Sequence, residues 1–468
     1  MTSRPRSLLA STTANRGEGS RSAAEGDESI DRHGRRMVVM LLLAGGVASS
    51  ANLVSTVLVA RLLPSVGYGA LNKLLSLFLV LSMPGMALMV GVVRRVTAWE
   101  AQGRERHALA WIAGAQRIGV LAVAALAASV WLAREPIVHA MGLRGSTGLV
   151  EIVSAGGVWV LVAMDRGMLQ ARRRYRSLSA NLLVEGVVRT AGMITLTAAG
   201  LGLQGAAIGV LAGELGAAVH ARLSVVRAYQ HHHDGTRLEH PAGELHTTRD
   251  LATDVIVAMV SLALLAALQN ADVVVFGSQM PGKSGTYAAI SVPAKALVFL
   301  ALLLGNYLLP ESSIRHHQGR HALRQLGHTL GLLALPALTL LLFATMMPSR
   351  FLGLVFGTKY EGGAHGFTPL VLSMAFLCVT VVLTIYLLGA GWRWVVVPLA
   401  AGTGLLVALC LVAGRSLIAT THIDLLVQGL LALTMVGAFV ARHRVRSSWR
   451  GASQVLELRP AGSTTTLA

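Results

Sequence analysis

Apolar runs of 18 or more residues recur along the chain, each long enough as a helix to cross about 30 Å of hydrocarbon, with short polar segments between them. This pattern predicts roughly twelve membrane helices. In the first half they fall at 37–60, 70–93, 109–132, 149–170, 178–199 and 203–225; in the second at 251–276, 287–309, 326–347, 367–388, 394–413 and 425–440. The ten-residue alternating strands of a barrel are absent. Ser50 to Phe78, SANLVSTVLVARLLPSVGYGALNKLLSLF, reads as two helices joined by a Pro/Gly turn, and a stretch of the same shape returns at Leu268 to Ala296 with Asn52/Asn270, Gly67/Gly285 and Ala70/Ala288 in register. Each copy opens one half of the chain, as in a duplicated membrane bundle. The expected fold is therefore all-α, with about twelve transmembrane helices in two pseudo-symmetric six-helix bundles.

Composition agrees with a life in the bilayer: 54% of the 468 residues are hydrophobic, only 13% are charged, and the mean hydropathy is +0.62. A net charge of +18 raises the question of nucleic acid. The basic residues, however, cluster between the apolar runs, where they act as orientation signals, so no nucleic-acid partner is expected. About 27 of the 40 Lys and Arg residues fall on the side of the termini and about 7 on the other. That bias puts both termini in the cytoplasm. The expected organisation is a disordered cytoplasmic tail (1–36), a first bundle (37–226), a cytoplasmic connector (227–250), a second bundle (251–441) and a basic then polar cytoplasmic tail (442–468).

Several conspicuous features have ordinary explanations. Gly205, Gly209 and Gly213, four apart, make a flat stripe for close helix packing. Pro84, Pro293, Pro336 and Pro398 interrupt helices, which suits halves that rock and equally suits static kinks. The arginines at Arg172, Arg173, Arg174 and Arg176 anchor the chain to anionic lipid headgroups. His231 to His233 lack neighbouring ligands at metal spacing, Cys378 and Cys410 lie in apolar runs, and neither a metal nor a cofactor is expected.

Charges inside spans cost roughly 2.5–3.5 kcal/mol each at mid-helix, so those present face partners or water. Arg117, Glu185, Arg189, Glu214 and Lys295 stand out. Glu185 and Arg189 are one turn apart and can pair with each other. Lys295 has no acid within a turn on its own helix, and its nearest candidate, Asp272, falls about one turn from the end of the seventh helix, at a shallower depth.

From Met37 to Val440 the chain resembles the polysaccharide and O-antigen flippases of the Wzx type, within the MOP (multidrug/oligosaccharidyl-lipid/polysaccharide) exporter superfamily. The resemblance rests on VARLLPSVGYGAL after the first helix, MLQARRRYRSLSANLLVEGVVRTAG across helices four and five, NADVVVFG with SGTYAAI, and PSRFLGLVFGTKYEGGA before helix ten. It implies two bundles around a central cavity and alternating access. It also implies a lipid-linked oligosaccharide as cargo, polymerase and glycosyltransferase machinery as partners beside membrane lipids, a bacterial plasma-membrane location, and no catalytic residues. Lipid II flippases of the superfamily usually carry two further helices, so that branch is disfavoured. On this reading Arg117, Arg189 and Lys295 are the cations expected to line the cavity and receive a polyprenyl-diphosphate headgroup. Glu185, Glu214 and Asp272 are their charge partners or ion-coupling acids. A cation-coupled multidrug antiporter is the nearest alternative. A membrane glycosyltransferase or polymerase would want a larger extramembrane loop with carboxylates than the outer segments holding Glu135 or Glu361.

Overall fold

A computed structural model describes residues 40, 44–103, 105–230, 248–317, 323–389 and 391–457. The N-terminal tail and His231 to His233 lie outside them. The described residues form helices and turns with no strand. In order these are α1 (Ala44–Leu62), then α2 (Ser65–Ala101), α3 (Glu105–Leu132), α4 (Arg134–Ala140), α5 (Leu149–Ala171), α6 (Tyr175–Leu196) and α7 (Gly202–Gln230). A second series follows: α8 (Thr248–Gln279), α9 (Ser284–His317), α10 (Leu323–Met346), α11 (Pro348–Val355), α12 (Ala364–Gly389), α13 (Val396–Ala413) and α14 (Leu417–Glu457). Eleven stretches are long and apolar enough to cross a membrane. One of them, Tyr175–Tyr229, holds both α6 and α7, which fold back on each other across Gly200, whose φ of 94° no ordinary side chain favours. That makes twelve candidate crossings among the described residues.

The two series have the same rhythm, each with a short helix after its third long one, and the same pairs pack: α2 on α5 and α9 on α12, α5 on α7 and α12 on α14, α6 on α7 and α13 on α14. Sequence patterning leaves α4 and α11 as loop because both are far too short to span. Local chemistry still makes them helical. Glu135 opens α4 and His139 closes it, complementing the helix dipole, and Pro348 sits at the first position of α11, where its missing N–H is harmless.

Several long helices overrun their predicted ends. At 37 residues, α2 reaches about 55 Å, and Arg94 and Arg95 ride on its continuation beyond the apolar part. The last helix starts eight residues before the predicted Leu425 and runs to Glu457, into the expected tail. The prolines break nothing: Pro84, Pro293 and Pro336 lie inside α2, α9 and α10, and Pro398 lies in the first turn of α13. Cys378 and Cys410 are free and buried.

The glycine stripe is a packing device. A Cβ on Gly205 would lie 2.6 Å from the Leu196 carbonyl carbon, and one on Gly209 would strike the main-chain nitrogen of Met193. One on Gly213 would come within 2.6 Å of the Arg189 Cβ. Backbone therefore lies on backbone along α6 and α7, and the Arg189 side chain leaves α6 directly beside Glu214. The two series meet mainly where α2 packs against α8 and α9, and there Tyr68 is enclosed by Phe356 and Tyr360, with ring centroids 6.4 and 5.7 Å away. Leu121, Leu132, Leu335, Met346, Val412 and Leu433 are exposed on the periphery, as suits helices solvated by lipid.

Candidate functional site: two buried charge clusters

The first cluster joins α5, α6 and α7. Arg189 donates to Glu214 Oε1 at 2.7 Å, and its distance to Glu185 one turn back is 3.8 Å. Glu185 takes its closer ion pair from Arg166 on α5, whose Nε donates to Asn181 Oδ1 at 2.7 Å. The expected Glu185–Arg189 pair is present as the longer link in a chain of two arginines and two glutamates across three helices. The reason is the glycine stripe, which brings α7 closer to Arg189 than its own helical neighbour. Glu214 is fully buried, and its Oε2 and the Arg189 Nε have no hydrogen-bond partner among the described residues. The Arg189 guanidinium also lies 4.9 Å from the centre of the Phe78 ring on α2, a favourable placement for a cation. Close by in sequence, Asp165 faces Arg222 at 3.4 Å.

The second cluster joins α8, α9, α12 and α14. Lys295 donates to Asp272 Oδ1 at 3.1 Å, and the Tyr287 hydroxyl donates to Oδ2 at 2.8 Å. Asp272 is deeper than predicted because α8 runs to Gln279, which puts the carboxylate about 10 Å from the helix end. Lys295 lies about 16 Å from the start of α9 at Ser284, about one turn deeper, and its long side chain bridges the difference by leaning toward the N-terminus of its helix. Beside this pair, Asp424 accepts from the Ser373 hydroxyl at 2.6 Å and lies within electrostatic reach of both Asp272 and Lys295. Among the described residues its Oδ1 has no hydrogen-bond partner, and neither do the Gln428 Oε1, the Ser291 hydroxyl or the Gln269 Nε2. Two carboxylates therefore share one lysine.

Arg117 joins neither cluster. It is exposed on α3 beside Ile118 and Leu121 and has no ion pair among the described residues. Nor does a hydrogen bond or ion pair connect Arg189 with Lys295; each cation is neutralised inside its own series of helices. Arg166, Asp165 and Asp424 escaped the sequence reading. The first two lie in the last turns of the predicted fourth helix, where charges ordinarily reach for the interface, and Asp424 lies one residue before the predicted start of the twelfth. No group of three or more potential metal ligands occurs among the described residues.

No protein-family profile and no curated protein matches the chain. Solved structures do. An inward-facing multidrug resistance MATE family transporter of the MOP superfamily superposes with a TM-score of 0.66 at 10% identity, over 85% of this chain and 96% of that one. The fold is that of the MOP superfamily transporters. The lipid II flippase MurJ in its inward closed conformation gives a TM-score of 0.63 at 10% identity, over 86% and 87% of the two chains. An outward-facing MATE family transporter gives 0.60 at 12% identity, over 88% and 96%. These neighbours are transporters and flippases rather than enzymes.

Proposed function

We propose that this protein is an alternating-access flippase that moves a polyprenyl-diphosphate-linked oligosaccharide across the bacterial plasma membrane for surface polysaccharide assembly. The observation that carries the reading is the pairing itself: Arg189 is held by Glu214 and Lys295 by Asp272, each acid fully buried. A diphosphate cannot cross low-dielectric hydrocarbon unpaired. Two cations, Lys295 buried and Arg189 largely so, whose counter-charges can be removed by protonation supply the partners it needs. Proton uptake at Glu214, or at the Asp272/Asp424 pair, releases the neighbouring cation to an oxyanion, whose charge-assisted hydrogen bonds then replace those of the lost carboxylate. Binding and coupling are thereby the same ion pairs. The moving bodies are the bundles 37–226 and 251–441.

Replacing Arg189 and Lys295 together by Ala, at normal membrane abundance, is expected to stop surface polysaccharide and leave lipid-linked precursor in the inner leaflet. Wild-type export by the double variant would refute the assignment. One feature favours the antiporter reading: the second cluster has two acids for one lysine, a balance that suits a cationic guest. Efflux of a cationic dye that depends on Asp424, with polysaccharide unaffected, would decide for it.

In this reading both termini and the 227–250 connector are cytoplasmic, since the arginine-rich segments after α2 and α5 share their side. With Cys378 and Cys410 replaced, a His232→Cys variant is expected to resist a membrane-impermeant thiol reagent in intact cells. Labelling from outside would reverse the orientation.

A further inference from the structure

At the end of the molecule where α1 and α8 finish and α2 and α9 begin, the two series of helices come close enough that only glycine and serine fit between their backbones. A Cβ on Gly69 would strike the Ser284 hydroxyl and lie 2.6 Å from its carbonyl carbon, and one on Gly285 would strike the Ser65 carbonyl. Gly142, at a φ of 57°, sits so close to the end of α8 that a Cβ would lie 2.6 Å from the Ser278 oxygen. Four helices end here, and the last carbonyls of a helix have no partner within it.

Cations cap them, largely crosswise. The Lys359 amine of the second series donates to the Leu63 carbonyl at 2.6 Å, and the neighbouring Tyr360 hydroxyl to Ala60 at 2.9 Å, closing α1. Arg61 of the first series donates to the carbonyls of Leu354 and Val355, closing α11. Lys73 of the first series donates to Met141 at 2.8 Å and Gly142 at 3.1 Å, just past α4, and to Gly277 at 3.1 Å in the last turn of α8. Arg61 and Lys359 are exposed, whereas Lys73 is buried and has no carboxylate partner among the described residues. Its stem crosses Gly277 so closely that a Cβ there would lie 2.6 Å from its Cδ. In the register that aligns Gly67 with Gly285, Lys73 falls opposite Ser291, so the device exists in one series only.

Two of the three acceptors of Lys73 belong to its own series and one to the other. At Lys73, separating the series breaks a single charge-assisted bond while the ammonium keeps two acceptors, so it never becomes a bare buried charge, and the exposed Arg61 and Lys359 can exchange their carbonyls for water. A carboxylate partner in the other series would have made separation far more costly. We propose that Lys73 is the latch of a gate at this end, closed while its amine holds the Gly277 carbonyl and open when that bond is released. The proposal rests on the alternating-access reading, but its test follows the gate and not the cargo.

The reporter is the full chain with Cys410→Ala and Ser284→Cys, Ser284 being covered by Gly69. The native buried Cys378 stays as an internal control, and modification by an impermeant maleimide is read at each site by mass spectrometry. Losing one hydrogen bond to a charged group is expected to speed labelling at position 284 by about tenfold or more in Lys73→Met, with Cys378 unmodified. Gly277→Ala, which displaces the lysine stem and keeps the ammonium, is expected to do the same. Labelling at the parent rate in both variants overturns the proposal. So does joint labelling of both cysteines in both variants, which would make Lys73 a support of the fold. Neither outcome depends on whether a lipid-linked sugar is the cargo.

Discussion

Asp272→Ala is expected to cost about 3–5 kcal/mol, the usual penalty for leaving one member of a buried ion pair without its partner. Lys295 would stay in the bundle interior facing the Tyr287 hydroxyl, which loses its own acceptor in the same change. Membrane abundance and the unfolding temperature of the solubilised protein should both fall sharply. The double variant Asp272→Asn, Lys295→Met removes both charges while keeping the volumes similar, and it should recover most of the loss, because a buried ion pair is often no more stable than an apolar replacement. Recovery of abundance without recovery of export would separate the folding role of the pair from its transport role. If Asp272→Ala were as abundant and as heat-stable as the parent, Lys295 would not depend on Asp272 at all.

Gly209→Leu is the second change with a large expected effect. The obstacle is main chain, the Met193 nitrogen and the Gly192 carbonyl carbon, so no rotamer change relieves it and α6 must move away from α7. Overpacking of this kind costs about 3 kcal/mol, the upper part of its usual range. The displacement also pulls Arg189 from Glu214. Gly404→Leu on α13 is the matched control, because a Cβ at Gly404 meets nothing within 4 Å. A lower unfolding temperature for the first variant and an unchanged one for the second is the expected result. Equal behaviour of the two would mean that the stripe does not set the helix spacing.

The spans were legible because hydrocarbon imposes a length on any helix that crosses it, and that length shows in the apolar runs. The glycine stripe was legible for a similar reason, since four-residue spacing alone fixes a face. Helix ends were not, because α2 and α14 continue through charged residues once outside the apolar layer. That single error hid Asp424, which lies just before the predicted start of the last helix and well inside the observed one. Asp272 looked too shallow for Lys295 because their backbone depths differ by about one turn, which the reach of the lysine side chain makes up. The partner of Arg189 lay beyond sequence for a different reason: a one-turn neighbour is visible in the chain, whereas Glu214 becomes a neighbour only through the α6–α7 contact. Lys73 drew no attention because it lies near a predicted helix end, and only the carbonyls of α4 and α8 make it a buried cation.

Flippase activity can be measured by reconstituting the full chain in liposomes with a fluorescent, short-chain polyprenyl-diphosphate-linked saccharide and following its translocation with an impermeant quencher. Flipping well above protein-free vesicles is expected, with its loss in the Arg189→Ala, Lys295→Ala double variant at equal incorporation. Translocation at the protein-free rate under an imposed proton gradient of either direction, or full activity in the double variant, would contradict the proposed function.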